Sequence, residues 1–198
     1  MKVLQLVILC LTGKVVFGWG NGAPTLACER MVPGHLMSDG HGLPISRKDR
    51  RDSPFEVKAK IVGRHVRLSV TGSVPIEGFL IQARQTEKSP PIGRFELLSQ
   101  SNDSIAKYQN CFNNKFPPFS SITHTNRNPK EKLAFWWSPE SNQNMTVTFY
   151  ATLARNHDRF WVMQSSNKFN IAYNGTPGES LISFYTLSSL VLAFIINL

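Results

Sequence analysis

The chain lacks the residue patterns that catalysis and cofactor binding require. Its five histidines, His35, His41, His65, His124 and His157, never stand in His-Glu-x-x-His or another close metal spacing. His35 and His41 lie six apart in a Gly-rich stretch, a weak ligand pair that reads as solvated or structural histidine. No Gly-x-Ser-x-Gly elbow occurs, and no Gly-rich loop between a strand and a helix is placed to cradle phosphate. These absences argue against an enzyme, and against a bound metal or cofactor. A sustained 3.6-residue apolar period is also missing, so helix content should be small. Acidic residues are scarce: 13 Asp and Glu face 22 Lys and Arg, a net charge of +9.

Cysteine is nearly absent too, and its placement is informative. Met1 to Gly18 reads as a secretory signal: Lys2 opens it, Val3 to Leu11 form an apolar core, and Val16, Phe17 and Gly18 make the exit. Lys14 interrupts the apolar run, which leaves cleavage after Gly18 or after Gly20 as near equals. Of three cysteines, Cys10 departs with this segment. Cys28 and Cys111 remain as an even pair in a chain bound for an oxidising compartment, where a disulfide is the natural reading and two buried thiols the alternative. Asn-x-Ser/Thr sequons begin at Asn102, Asn144 and Asn174. Asn102 and Asn144 are the better glycan sites, because Pro177 follows the third directly. Leu181 to Leu198 holds thirteen apolar residues of eighteen and no charge. A spanning helix wants about 20 residues with basic flanks. The stretch 175–198 therefore fits a GPI-attachment signal with Asn174, or alternatively Gly178, as the attachment residue, while a membrane stub and a retained tail stay open.

Between these ends the periodicity is that of strands. Phe55, Val57, Ala59 and Ile61 alternate with charged residues, and after Gly63 so do Val66, Leu68 and Val70, which predicts a hairpin. Gly78 to Arg84 predicts a third strand with Phe79, Ile81 and Ala83 facing in; Gly93 to Leu97 predicts a short edge strand. Ser99 to Thr125 shows no period. Leu133, Phe135 and Trp137 share one face, and beyond a polar loop Met145 to Leu153 alternate, so these two runs read as consecutive strands of one antiparallel sheet. Trp136 and Tyr150 fall on the opposite parity, open to solvent. A last strand begins at Phe160. The fold class expected is all-β, an antiparallel β-sandwich of about seven to nine strands.

The positive charge is clustered. Arg47, Lys48, Arg50 and Arg51 precede the first strand, and Lys58, Lys60, Arg64 and Arg67 follow on the polar side of the first hairpin. Removing Lys2, Lys14 and Glu179 with the two ends leaves 20 basic against 12 acidic residues, still +8. Such a face attracts polyanions at long range and is screened by salt. The partners it suggests are anionic microbial surface polymers, such as lipopolysaccharide and teichoic acids, or sulfated glycans; nucleic acid is not expected for an exported chain. The alternatives are a solvated face that aids solubility and, for Arg47 to Arg51, a processing site.

Seven ordered motifs carry a family resemblance. They are GAPTLAC at Gly22–Cys28, MVPGH at Met31–His35, GFLIQAR at Gly78–Arg84 and GRFELL at Gly93–Leu98. Beyond Cys111 follow THTN at Thr123–Asn126, FWWSP at Phe135–Pro139 and VTFYATLA at Val147–Ala154. The chain thereby resembles the reeler domain across 22–169, and looks most like the small secreted defence proteins of insects. The resemblance implies an immunoglobulin-like sandwich, a disulfide between Cys28 and Cys111, and a role in innate immunity through binding bacterial surfaces. It equally allows a cell-surface or matrix adhesion module that binds glycans or a protein partner. The same domain begins ferric-chelate reductase-like membrane proteins, whose redox chemistry sits in further haem-binding domains for which this length leaves no room.

Overall fold

The computed structural model describes residues 20–35, 50–97, 105–111 and 116–172. The expected signal segment, Arg47, Lys48, Asn102, Asn174 and the tail 175–198 lie outside the described residues. The order is a short helix α1 (Ala27–Arg30), a 3-10 turn (Arg50–Asp52), then β1 (Phe55–Val62), β2 (His65–Ile76), β3 (Gly78–Arg84), β4 (Arg94–Glu96), β5 (Ala106–Tyr108), β6 (Ser121–His124), β7 (Lys130–Ser138), β8 (Met145–Ala154), β9 (Phe160–Ser165) and β10 (Phe169–Ile171). Two antiparallel sheets result. One runs β1-β2-β7-β4; the other runs β10-β8-β3-β6-β5, with β9 pairing the second half of β8.

The predicted hairpin forms with Val62 opposite His65, and Gly63 takes φ +62° in the two-residue turn, a conformation that favours glycine. β4 is an edge strand, as its shortness suggested. Ten strands form among the described residues, against the seven to nine expected. The additions β5 and β6 fall in the stretch without a period, because three or four residues are too few to display one. The last strand is split at Ser166, whose hydroxyl accepts the Phe149 N–H at 3.0 Å where a ladder bond would otherwise lie.

One expectation is corrected. β7 and β8 do not pair; they lie in different sheets. The polar loop between them crosses the sandwich, a step of about 10 Å. They meet instead through their rings: Trp137 of β7 stands edge-on to Phe149 of β8, centroids 5.6 Å apart, and Phe169 of β10 closes the cluster. Trp137 is fully buried, and its indole N–H donates to the Ile92 carbonyl at 3.1 Å. Gly93 covers this ring. At φ +64°, a Cβ there would come within 2.2 Å of Trp137 Cζ2.

The outer face of the second sheet is also buried, which alternation alone does not announce. Residues 20–35 pack across it. Met31 and Ala27 join Leu80, Tyr150, Phe160 and Val162 in a second apolar cluster. Tyr150, read from its parity as open, is only 6% exposed for this reason. The segment is tied down by a Cys28–Cys111 disulfide with a Cα separation of 5.6 Å. Closing a loop of 83 residues in sequence separation stabilises the fold by about 4.5 kcal/mol in the chain-entropy account.

Beside the disulfide lies Arg84, 2% exposed. Its guanidinium donates to the carbonyls of Cys28 (2.8 Å), Glu29 (2.9 Å) and Glu87 (2.6 Å), and to Gln82 Oε1. Gln82 in turn donates to the Cys28 carbonyl and to Ser121. Burial pushes the Arg84 pKa down, opposed by Tyr150, Glu29 and Glu87. The carbonyls at the C-terminal end of α1 carry compensating partial charge. A bulge in β9 completes the layer. Met163 sits at φ 52°, its N–H donates to Thr152 Oγ1 at 3.1 Å, and the Thr152 hydroxyl donates to the Met31 carbonyl at 2.6 Å.

Two substitutions test this architecture. Arg84→Ala strands the Cys28 and Glu29 carbonyls and Gln82, and should cost about 3 kcal/mol, read as a Tm lower by roughly 10 °C. Gly93→Ala should destabilise by about 2 kcal/mol or more through left-handed backbone strain and displacement of Trp137. Intrinsic tryptophan fluorescence would report the second directly, and an unshifted spectrum and Tm would count against the packing described.

Candidate functional site

With one outer face covered, the outer face of β1-β2-β7-β4 is the open one. Its side chains follow from strand parity. Lys58 and Lys60 of β1 project outward, Lys60 lies opposite Arg67 of β2, and Arg67 lies opposite Trp136 of β7. Lys132 of β7 lies opposite Thr71, and Arg94 of β4 opposite Ser138. All five cations are exposed. The acids on this face are engaged: Glu56 pairs with Lys58 at 2.8 Å, and Glu96 Oε1 takes His65 Nδ1 at 3.1 Å and the Ser138 hydroxyl at 3.2 Å. The exposed Lys58–Glu56 pair contributes little to stability. Trp136 is half-buried; Arg67 lies over its ring at 5.9 Å and His65 stands edge-on at 6.3 Å. The arrangement offers cations on a rigid sheet around one accessible indole.

The sequence-predicted basic residues are only partly united here. Lys58, Lys60 and Arg67 share the face, but Arg51 precedes β1 and Arg64 lies in the turn after it. The length of β1 separates those two, about 26 Å at 3.3 Å per residue. Arg50 belongs to the same 3-10 turn as Arg51. Lys132 and Arg94 join the patch from strands remote in sequence, and only strand register could have placed them. Asn144 is exposed just before β8, at the end of the loop from β7, where a glycan can be carried without burial.

A second feature had no signal in the sequence. At one end of the covered sheet, the segment 22–35 and the sandwich enclose a cleft of about 70 Å³. Its walls are apolar, from Ala27, Met31, Phe79 and Leu80 among others, and three imidazoles line it. His35 Nδ1 donates to the His157 carbonyl at 2.7 Å, and the two rings stack at 4.5 Å. Burial, then the neighbouring His157, pushes the His35 pKa down. His157 Nδ1 meets Asp158 Oδ1 at 2.7 Å. The Phe79 N–H donates to His124 Nδ1 at 3.1 Å. The sequence pairing of His35 with His41 finds no counterpart here, since His41 lies outside the described residues. Nor do the described residues bring three His, Cys, Asp or Glu side chains into metal-binding range.

No described helix is long and apolar enough to cross a membrane. The Reeler domain family matches residues 26–177. "Putative defense protein Hdd11" of Hyphantria cunea is 32% identical over 151 residues, which span 73% of this chain and 84% of that protein. "Putative ferric-chelate reductase 1 homolog" of Drosophila melanogaster is also 32% identical over 149 residues, but this chain spans only 21% of its length. A crystal structure of the human F-spondin reeler domain aligns over 73% of this chain and 98% of its own, at 12% identity and a TM-score of 0.47. The chain belongs to the reeler-domain family.

Proposed function

We propose that this reeler domain is an extracellular binding module of innate immunity that docks onto anionic polymers of microbial surfaces. The observation that carries the reading is the open sheet face on which Lys58, Lys60, Arg67, Lys132 and Arg94 are exposed around Trp136 while both acids of that face are engaged. A flat, rigid lattice of cations suits a repeating polyanion, because successive phosphates or sulfates can be met without ordering new backbone. The similarity to insect defence proteins over most of their length supports the biological setting. The buried disulfide suits an oxidising, exported environment, as do a signal segment, a glycan at Asn144 and a C-terminal lipid anchor. The similarity to ferric-chelate reductases supports no redox chemistry here, since it covers about a fifth to a third of those proteins.

The same face could serve adhesion to sulfated matrix glycans, with the Trp136 indole stacking on sugar rings; the partner decides between the two settings. Neutralising Lys58, Lys60, Arg67 and Lys132 together to Gln should weaken binding to lipopolysaccharide and lipoteichoic acid by on the order of 1,000-fold at low salt, taking close to 1 kcal/mol per cation at an anionic surface. It should also flatten the dependence of affinity on ionic strength. An unchanged salt profile would refute this surface as the site. Heparin binding without binding to either microbial polymer would favour the adhesion setting.

A further inference from the structure

We propose that the cleft between residues 22–35 and the end of the covered sheet is a second binding site, which takes the aliphatic end of a small carboxylate. Protein interiors are close-packed, and the cleft shares Ala27, Met31 and Leu80 with the apolar cluster beneath the N-terminal segment. The gap of about 70 Å³ is therefore a feature to explain. Its size selects short chains: on the scale where about 150 Å³ accommodates benzene, 70 Å³ holds three or four carbons. Its apolar walls, which include Ala27, Met31, Phe79 and Leu80, offer such a chain dispersion contacts.

The charges around the mouth choose the head group. Besides the imidazoles, Glu77 and Arg127 line it, and Lys130 and Asp158 neighbour the lining residues Glu77 and His157. Lys130 donates to the Glu77 and Asn128 carbonyls, and its charge interacts with the Glu77 carboxylate, so those two offset each other. Asp158 is engaged by His157. Arg127 lines the cleft, is exposed, and has no hydrogen-bond or ion-pair partner among the described residues. A guanidinium left over beside an apolar slot matches a carboxylate, which it can bind through two parallel N–H donors. His35 and His157, stacked at the rim and held by backbone and carboxylate partners, form a fixed wall. Burial and the adjacent ring keep His35 toward its neutral form, which preserves the apolar character of that wall.

This site lies against the sheet opposite the basic face, so the two readings stand or fall separately. The test is an NMR titration of the purified full chain, as the expressing cell processes it, with acetate, propanoate, butanoate, pentanoate and hexanoate. The Met31 methyl and the His35 and His157 ring signals are the readout. Affinity should rise about fourfold per added methylene up to four or five carbons and then level off. Butan-1-ol and butylamine should bind about tenfold more weakly than butanoate, and Arg127→Gln should abolish that preference while leaving the chain-length series intact. Ala27→Leu, which fills the slot, should remove the chain-length dependence. Arg127 is exposed, so its variant should fold even if Ala27→Leu does not. Affinity independent of chain length, equal binding of acid and alcohol, or an Arg127→Gln variant that still prefers butanoate would each overturn the proposal.

Discussion

The structure depends on one covering: residues 20–35 laid over the outer face of β3 and β8. A two-sheet sandwich has two outer faces, and both are ordinarily open. Here the disulfide, the Arg84 fork and the Thr152 hydroxyl fasten a short segment onto one of them. The arrangement places a buried cation against backbone carbonyls and the Gln82 side-chain oxygen. It works because a four-residue helix leaves its last carbonyls without internal partners, and a guanidinium has enough donors to meet several at once. The same covering has two consequences for function. It leaves the β1-β2-β7-β4 face as the exposed sheet surface, and it creates the cleft where its own end meets the sandwich.

How much of this was legible depended on whether a residue's partner lay in its own strand pattern. The hairpin, the inward rings of β7 and the inward Phe79, Ile81 and Ala83 of β3 follow from alternation, and all are buried as expected. The other side of β3 is where alternation misleads. Gln82 and Arg84 alternate with the inward residues, yet both are buried beneath a segment whose carbonyls they satisfy. Thr148, Tyr150 and Thr152 of β8 are buried on the same side, and the Thr152 hydroxyl donates to the Met31 carbonyl. Pattern reports the polarity of a side chain, and it cannot report that a covering segment supplies polar partners. The pairing of β7 with β8 failed for a related reason: adjacency in sequence suits a hairpin and a crossing equally, and the choice lies in a loop with no apolar signal.

The candidate binding face shows the same division. Clustering in the chain gathered Arg47 to Arg67 into one surface, but strand geometry separates Arg51 from Arg64 and recruits Lys132 and Arg94 from strands far along the sequence. Charge density in sequence and charge density in space therefore diverge wherever a strand runs the length of the domain. The cleft had no signal because its walls come from four separate stretches, within 22–35, 77–80, 124–127 and 152–157. His35, His124 and His157 are distant in sequence and meet only there.

The central claim is that the face left open, and not the face that is covered, meets the anionic partner. Lysine acetylation with mass-spectrometric readout tests it directly, with and without saturating lipopolysaccharide. The account predicts that Lys58, Lys60 and Lys132 lose reactivity on binding. Lys88 and Lys107, which belong with the covered sheet, should not change, and Lys130, buried against the Glu77 and Asn128 carbonyls, should react slowly throughout. Protection of Lys88 and Lys107 with Lys58, Lys60 and Lys132 still reactive would place the partner on the other side and contradict the account.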